Sequence, residues 1–364
     1  MVIKEEIMMN KTKLFFLGSA FLSLCLAGCG NQQGSREPVP AEDDTIPVFV
    51  LSGQSNMEGS TYWTHPDNGT PLLENYFTEQ EMDFAPVRDG IPNVLTTFYG
   101  FYHPRTWENA HSNSPDQSSA EAKLTPNFQP TKVGMGVNDK GDNPNPYFGP
   151  ELGLAHKIKD EVDEDRPVHL IKCAFSGSGF TNGNYAQSDP DWDSREDDPK
   201  ESLFYLLKTY THKSLEVIEK TGKTPVIKGF LWHQGESGGG KPDYETSMRK
   251  LLADFKEEFK DYAPDGDADN IAFIDCTIYD GNSPVNYKDN NGIVQTNVAK
   301  WAIANESEDD LNFCINGNHE EGGLGLDIGD DSKGGYGTYH YNTPDAFKLG
   351  EAYGQMILDH NLLD

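Results

Sequence analysis

Three segments of the chain end an apolar, β-prone run in a cluster of small and polar residues. Val48–Leu51 gives way to Ser52-Gly53-Gln54-Ser55-Asn56-Met57, and Cys173-Ala174-Phe175 to Ser176-Gly177-Ser178-Gly179. Phe230-Leu231-Trp232 gives way to His233-Gln234-Gly235-Glu236-Ser237. A late histidine, His340, stands just before a helical pattern that opens at Thr343-Pro344. A serine hydroxyl is a weak nucleophile that needs an adjacent base, and attack on a carbonyl needs donors aimed at the oxyanion. These residue types can supply each part. Ser55 brings a hydroxyl and, with the amides that follow it, a donor. Gly177 brings a backbone N–H with no side chain in the way, and Gln234 a carboxamide NH2. His340 is the best candidate base. The chemistry this suggests is acyl transfer. Any one such turn alone is an ordinary strand-to-helix connection; three with a late histidine favour a site.

The surrounding pattern must bring them together. Near-continuous apolar runs predict parallel strands at Ile46–Leu51, Pro167–Phe175, Pro225–His233 and Asn270–Ile278, with a short fifth at Leu311–Ile315. Helical spacing occupies Pro150–Val162, Ser202–Gly222, the segment after Asp243 and the segment after Thr343. Strands alternating with helices predict an α/β fold, a three-layer α/β/α sandwich on a mostly parallel sheet. In such sheets ligands bind beyond the carboxyl ends of the strands. Residues from about 60 to 146 break the rhythm, being rich in Pro, Asn, Gly and aromatics. This stretch is too long for an ordinary connection. It reads as an insertion that is either an ordered cleft wall or a poorly ordered excursion.

GQSNM, the Ser-Gly-Ser-Gly turn, HQGES and the late histidine together resemble the SGNH hydrolases. Within them the chain is most similar to the sialate O-acetylesterase-like group and to carbohydrate esterase family six, which includes acetylxylan esterases. Phe148–Ala155 is similar to that group's G-P-E-x-G-x-A segment. The resemblance runs from about Ile46 to the C-terminus, with the long insertion unmatched. It implies a flavodoxin-like sheet and a serine-dependent carbohydrate acetylesterase that needs no cofactor or metal. It implies Ser55 as nucleophile, His340 as general base, and an oxyanion hole of Ser55, Gly177 and Gln234. Many SGNH enzymes orient the histidine with an Asp three residues earlier, where this chain has Gly337. Some relatives use the Glu of HQGE, which implies Glu236 as the third triad member. Glu236 bracing the Ser55 loop beside a Ser-His dyad stays open, as do Asp330 and Asp331. So does a catalytically inactive carbohydrate-binding surface lipoprotein on the same fold.

The 364 residues carry a formal net charge of −30, which repels phosphate backbones and argues against nucleic acid as a partner. The expected partner is an acetylated carbohydrate. The N-terminus has a basic start, a short apolar run and Leu26-Ala27-Gly28-Cys29, similar to a bacterial lipobox. Residues 1–29 therefore read as a lipoprotein signal peptide ending at the lipidated Cys29. Residues 30–45 read as a flexible linker and 46–364 as the esterase domain. The expected location is the bacterial cell envelope, with the membrane reached only through the lipid. Cys173, Cys276 and Cys314 read as buried thiols. Among the other histidines, His65, His103, His111, His156 and His233 carry no ligand spacing.

Overall fold

A run that is apolar on both faces belongs in the middle of a sheet. Thr45–Gly53 (β1) sits there, with every residue from Ile46 onward buried. The structure is a computed structural model. It describes residues 44–101, 106–138, 141–180, 190–237, 244–279, 290–307, 310–319, 321–335, 337 and 339–364. The chain divides into units 1–39 and 40–364, the first lying wholly outside these residues. The signal peptide, Cys29, nearly all of the linker and His103 thus fall outside the described residues.

After β1 come Ser55–Glu58 (α1), Thr61–Tyr62 (β2), Leu72–Glu79 (α2), Ala85–Asp89 (α3) and Ile91–Phe101 (β3). His111–Ser112 (β4), Ala120–Lys123 (α4), Gln129–Thr131 (β5), Tyr147–Phe148 (β6) and Pro150–Ile158 (α5) follow. The second half holds Val168–Phe175 (β7), Leu203–Glu219 (α6), Thr224–His233 (β8), Tyr244–Glu258 (α7) and Ala272–Cys276 (β9). Asn290–Ala304 (α8), Asn312–Ile315 (β10) and Thr343–Asp359 (α9) complete it.

The main sheet runs β10-β9-β8-β1-β7-β3-β4, with β5 also on β3. The six strands from β10 to β3 are parallel, while β4 and β5 are antiparallel additions. Side chains alternate across each strand. Val48, Val50, Phe230 and Trp232 enter one apolar core with residues of α6, α7 and α8. Phe49, Leu51 and Leu231 enter a second with residues of α2, α5 and α9. Two cores on the two faces of one sheet make the predicted three layers.

Part of the stretch expected to be an insertion belongs to the sheet itself. Strand β3 pairs with β7 over eight positions, from Val94 to Phe101. Its sequence, IPNVLTTFYGF, mixes a proline and polar residues into the apolar run, which hid it. Helix α5 stops at Ile158 rather than Val162, continuing as a 3-10 turn over Lys159–Glu161. Among the described residues no helix is long and apolar enough to cross a membrane.

Candidate active site

The register sets three strand ends level. Gly53 pairs with Ala174 of β7 on one side and with His233 of β8 on the other. The turns after β1, β7 and β8 therefore leave the sheet side by side. Gly53 has a φ of 142°, and a Cβ there would lie 2.0 Å from the His233 carbonyl oxygen. Only glycine lets β1 leave the sheet this close to β8. Gln54 N then donates to His233 O at 3.0 Å, and the one-turn helix α1 begins with Ser55. All four residues of α1 are buried.

Gly177 opens the turn after β7 with a φ of 70°, a conformation that favours glycine. Gln54 Oε1 accepts from Ser237 N at 3.0 Å, drawing the turn after β8 against the Ser55 segment. Gln234 is fully buried, and its NH2 is engaged within the protein. It donates to Ser237 O at 2.9 Å and to Ser178 O at 3.2 Å, with Gln54 Oε1 at 3.4 Å.

His340, 7% exposed, reaches the same place from the far end of the sequence. Asn56, the residue after Ser55, accepts from Tyr341 N at 3.2 Å and donates to Tyr339 O at 3.3 Å. Thr61 Oγ1 also donates to Tyr341 O at 2.8 Å. Glu236 presents Oε1 to Asn56 Nδ2 at 2.6 Å and lies 3.7 Å from His233 Nε2. Burial pushes the Glu236 carboxyl upward, and the Asn56 amide opposes this. Burial, aided by the Lys300 charge, pushes His233 well below its ordinary value. His233 is therefore neutral and sits beside the Tyr341 hydroxyl at 3.2 Å, a structural role.

Ser55, Gly177, Gln234, Glu236 and the His340 loop thus converge around one turn. Residues 45–359 match the family model for carbohydrate esterase, sialic acid-specific acetylesterase. The chain belongs to that family. Two solved structures are similar in fold. NanS is 14% identical with a TM-score of 0.53, the match covering 88% of this chain and 99% of NanS. A protein of Arabidopsis thaliana is 17% identical with a TM-score of 0.50, covering 86% and 98% of the two chains. No curated protein matches the sequence.

Other residues of this carbohydrate esterase brace the site, and among them the sequence did not single out Glu58 and Lys172. Glu58 Oε2 accepts from Ser176 N at 2.8 Å and from the Ser176 hydroxyl, tying α1 to the Gly177 turn. Its other oxygen lies 2.8 Å from His111 Nε2. Lys172, buried in β7, lies 2.8 Å from Glu151 and donates to the Glu58 carbonyl at 2.8 Å and the Met135 carbonyl at 2.6 Å. A lysine in a mostly apolar strand was the one available signal, since such a charge must be paired. Glu151 is the acid of the G-P-E segment and also accepts from Gly149 N at 3.0 Å. Asp330 is engaged in its own loop, with Ser332 and with Lys333 at 3.3 Å. Asp331 lies 3.6 Å from His65. His156 lies 3.3 Å from Glu351 on α9. Cys173, Cys276 and Cys314 are buried free thiols. Among the described residues no group of three metal-ligating side chains converges.

Proposed function

We propose that this carbohydrate esterase removes O-acetyl groups from a glycan by serine catalysis, with Ser55 as nucleophile and His340 as general base. The observation that carries the reading is the Asn56 bridge. The residue beside Ser55 is hydrogen-bonded to both neighbours of His340, which supports reading these two groups from opposite ends of the sequence as partners.

In the proposed reaction Ser55 Oγ attacks the acetyl carbonyl while His340 accepts its proton. The tetrahedral oxyanion takes hydrogen bonds from the backbone N–H groups of Ser55 and Gly177. Gln234 would join them by giving up one of its present acceptors. The protonated His340 then returns its proton to the departing sugar oxygen, leaving an acetyl-Ser55 ester. Water, deprotonated by His340, attacks this ester; the acyl–Oγ bond breaks, acetate leaves and His340 returns the proton to Ser55 Oγ. Glu236 is the proposed acidic member, supporting the position and charge of His340. We further propose that Cys29 carries a lipid that holds the enzyme at the bacterial cell envelope.

The family's name makes an O-acetylated sialic acid the first substrate to try, with acetylated xylan beside it. Acetate release from each is measured with the intact protein and with Ser55→Ala. Serine-dependent release from either sugar is expected and names the substrate class. Release from neither, by a folded protein, would favour a sugar-binding role without catalysis.

A further inference from the structure

Asn56 is 5% exposed, and its carboxamide meets three residues on two other chain segments at once. Its Oδ1 accepts from Tyr341 N at 3.2 Å. Its Nδ2 donates to Glu236 Oε1 at 2.6 Å and to Tyr339 O at 3.3 Å. A backbone N–H can only donate, so Oδ1 must face Tyr341. The NH2 is then left facing a carboxylate and a carbonyl, both acceptors. Turning the amide over would set acceptor against acceptor on one edge and donor against donor on the other. The plane of this side chain is therefore fixed from both edges.

Tyr339 and Tyr341 are the two chain neighbours of His340. The geometry points to Asn56 as a positioning residue for the ester hydrolysis proposed above. It locks the His340 loop onto the segment that carries Ser55, and it passes the support of Glu236 to that loop. The inference rests on the Ser55–His340 reading. Asn56 acts through His340 and not on the substrate, so its loss should lower turnover more than substrate binding.

The test uses the full chain and 4-nitrophenyl acetate, with kcat counted per folded molecule by near-ultraviolet circular dichroism. Five variants are compared: Ser55→Ala, Asn56→Ala, Asn56→Asp, Glu236→Gln and the double variant Asn56→Asp/Glu236→Gln. A misplacement of about 1 Å can cost ~100-fold, so Asn56→Ala should lower kcat by roughly 30–100-fold while KM moves less than about threefold. Asn56→Asp should be worse, because it sets a second carboxylate against Glu236. The double variant reverses the donor and acceptor, with the new amide donating to the new carboxylate. Asn56→Asp should cost at least about tenfold less in kcat in the Glu236→Gln background than in the wild type, since there a bond of the same geometry is restored, whatever Glu236→Gln costs by itself.

Asn56→Ala within about threefold of wild type in kcat, with Ser55→Ala inactive, would overturn the clamp and leave the esterase reading intact. So would a cost of Asn56→Asp as large in the Glu236→Gln background as in the wild type. If Asn56→Ala does not fold, that comparison decides alone. If none of the three folds, Asn56 is structural and the proposal falls. A wild type no faster than Ser55→Ala overturns the esterase reading and the clamp with it, and needs no Asn56 variant to be recognised.

Discussion

Gln54, Asn56 and Glu58 flank or follow the proposed nucleophile, and each commits its side chain to a loop far away in the sequence. Gln54 holds Ser237, Asn56 holds Glu236 and the residues around His340, and Glu58 holds Ser176. Glu58→Ala would remove the carboxylate oxygen that accepts from the buried Ser176 N–H and hydroxyl. Each such loss costs about 1–3 kcal/mol, so the variant should lose roughly 2–4 kcal/mol in urea denaturation. A loss below about 1 kcal/mol would show that water or another group replaces the carboxylate. The Ser55 turn and the His340 segment were legible in the sequence as a polar cluster ending an apolar run and a histidine just before a helical pattern, and their roles as nucleophile and base are proposals. The braces were not, because an Asn or Glu near a turn looks like any solvated residue until its partner is known.

Strand β7 carries two ionisable side chains through the sheet, His169 and Lys172, both buried. Burial pushes His169 down from 6.5 to about 4. The folded protein therefore keeps His169 neutral while the unfolded chain takes up a proton below pH 6.5. The unfolded state binds more protons in this window, so stability falls as pH falls from 6.5 towards 4. His169→Leu removes this dependence. Between pH 7 and pH 5, wild type should lose about 1–2 kcal/mol more than His169→Leu in denaturant unfolding. Parallel losses in the two proteins would contradict the assignment. At the same scale, β1, β7, β8, β9 and β10 were legible as apolar runs, whereas β3 and α8 were not. In α8 Val298 is 62% exposed while Lys300 is fully buried, paired to Asp275 at 2.6 Å. Hydropathy points the wrong way at both positions, because the pair across the core, not the residue type, decides which face is inside.

Across the whole molecule, the parallel sheet sets its strand ends level and the loops add the chemistry. The alternation of strands and helices was enough to read the three layers. It did not show that the stretch from about 60 to 146 lends β3 to the sheet and, through His111, a contact to Glu58. That contact joins segments far apart in the chain, and no local pattern encodes it. The net charge of −30 surrounds a site whose own groups are mostly buried and tied to one another. The central claim is that Ser55 is the nucleophile of an esterase. Its most direct test is steady-state hydrolysis of 4-nitrophenyl acetate by the wild type and by folded Ser55→Ala. Loss of a nucleophile that works with its base commonly costs several powers of ten, so kcat/KM should fall by at least ~1,000-fold. A folded Ser55→Ala that keeps activity within about tenfold of wild type would contradict the claim and place the chemistry on another residue.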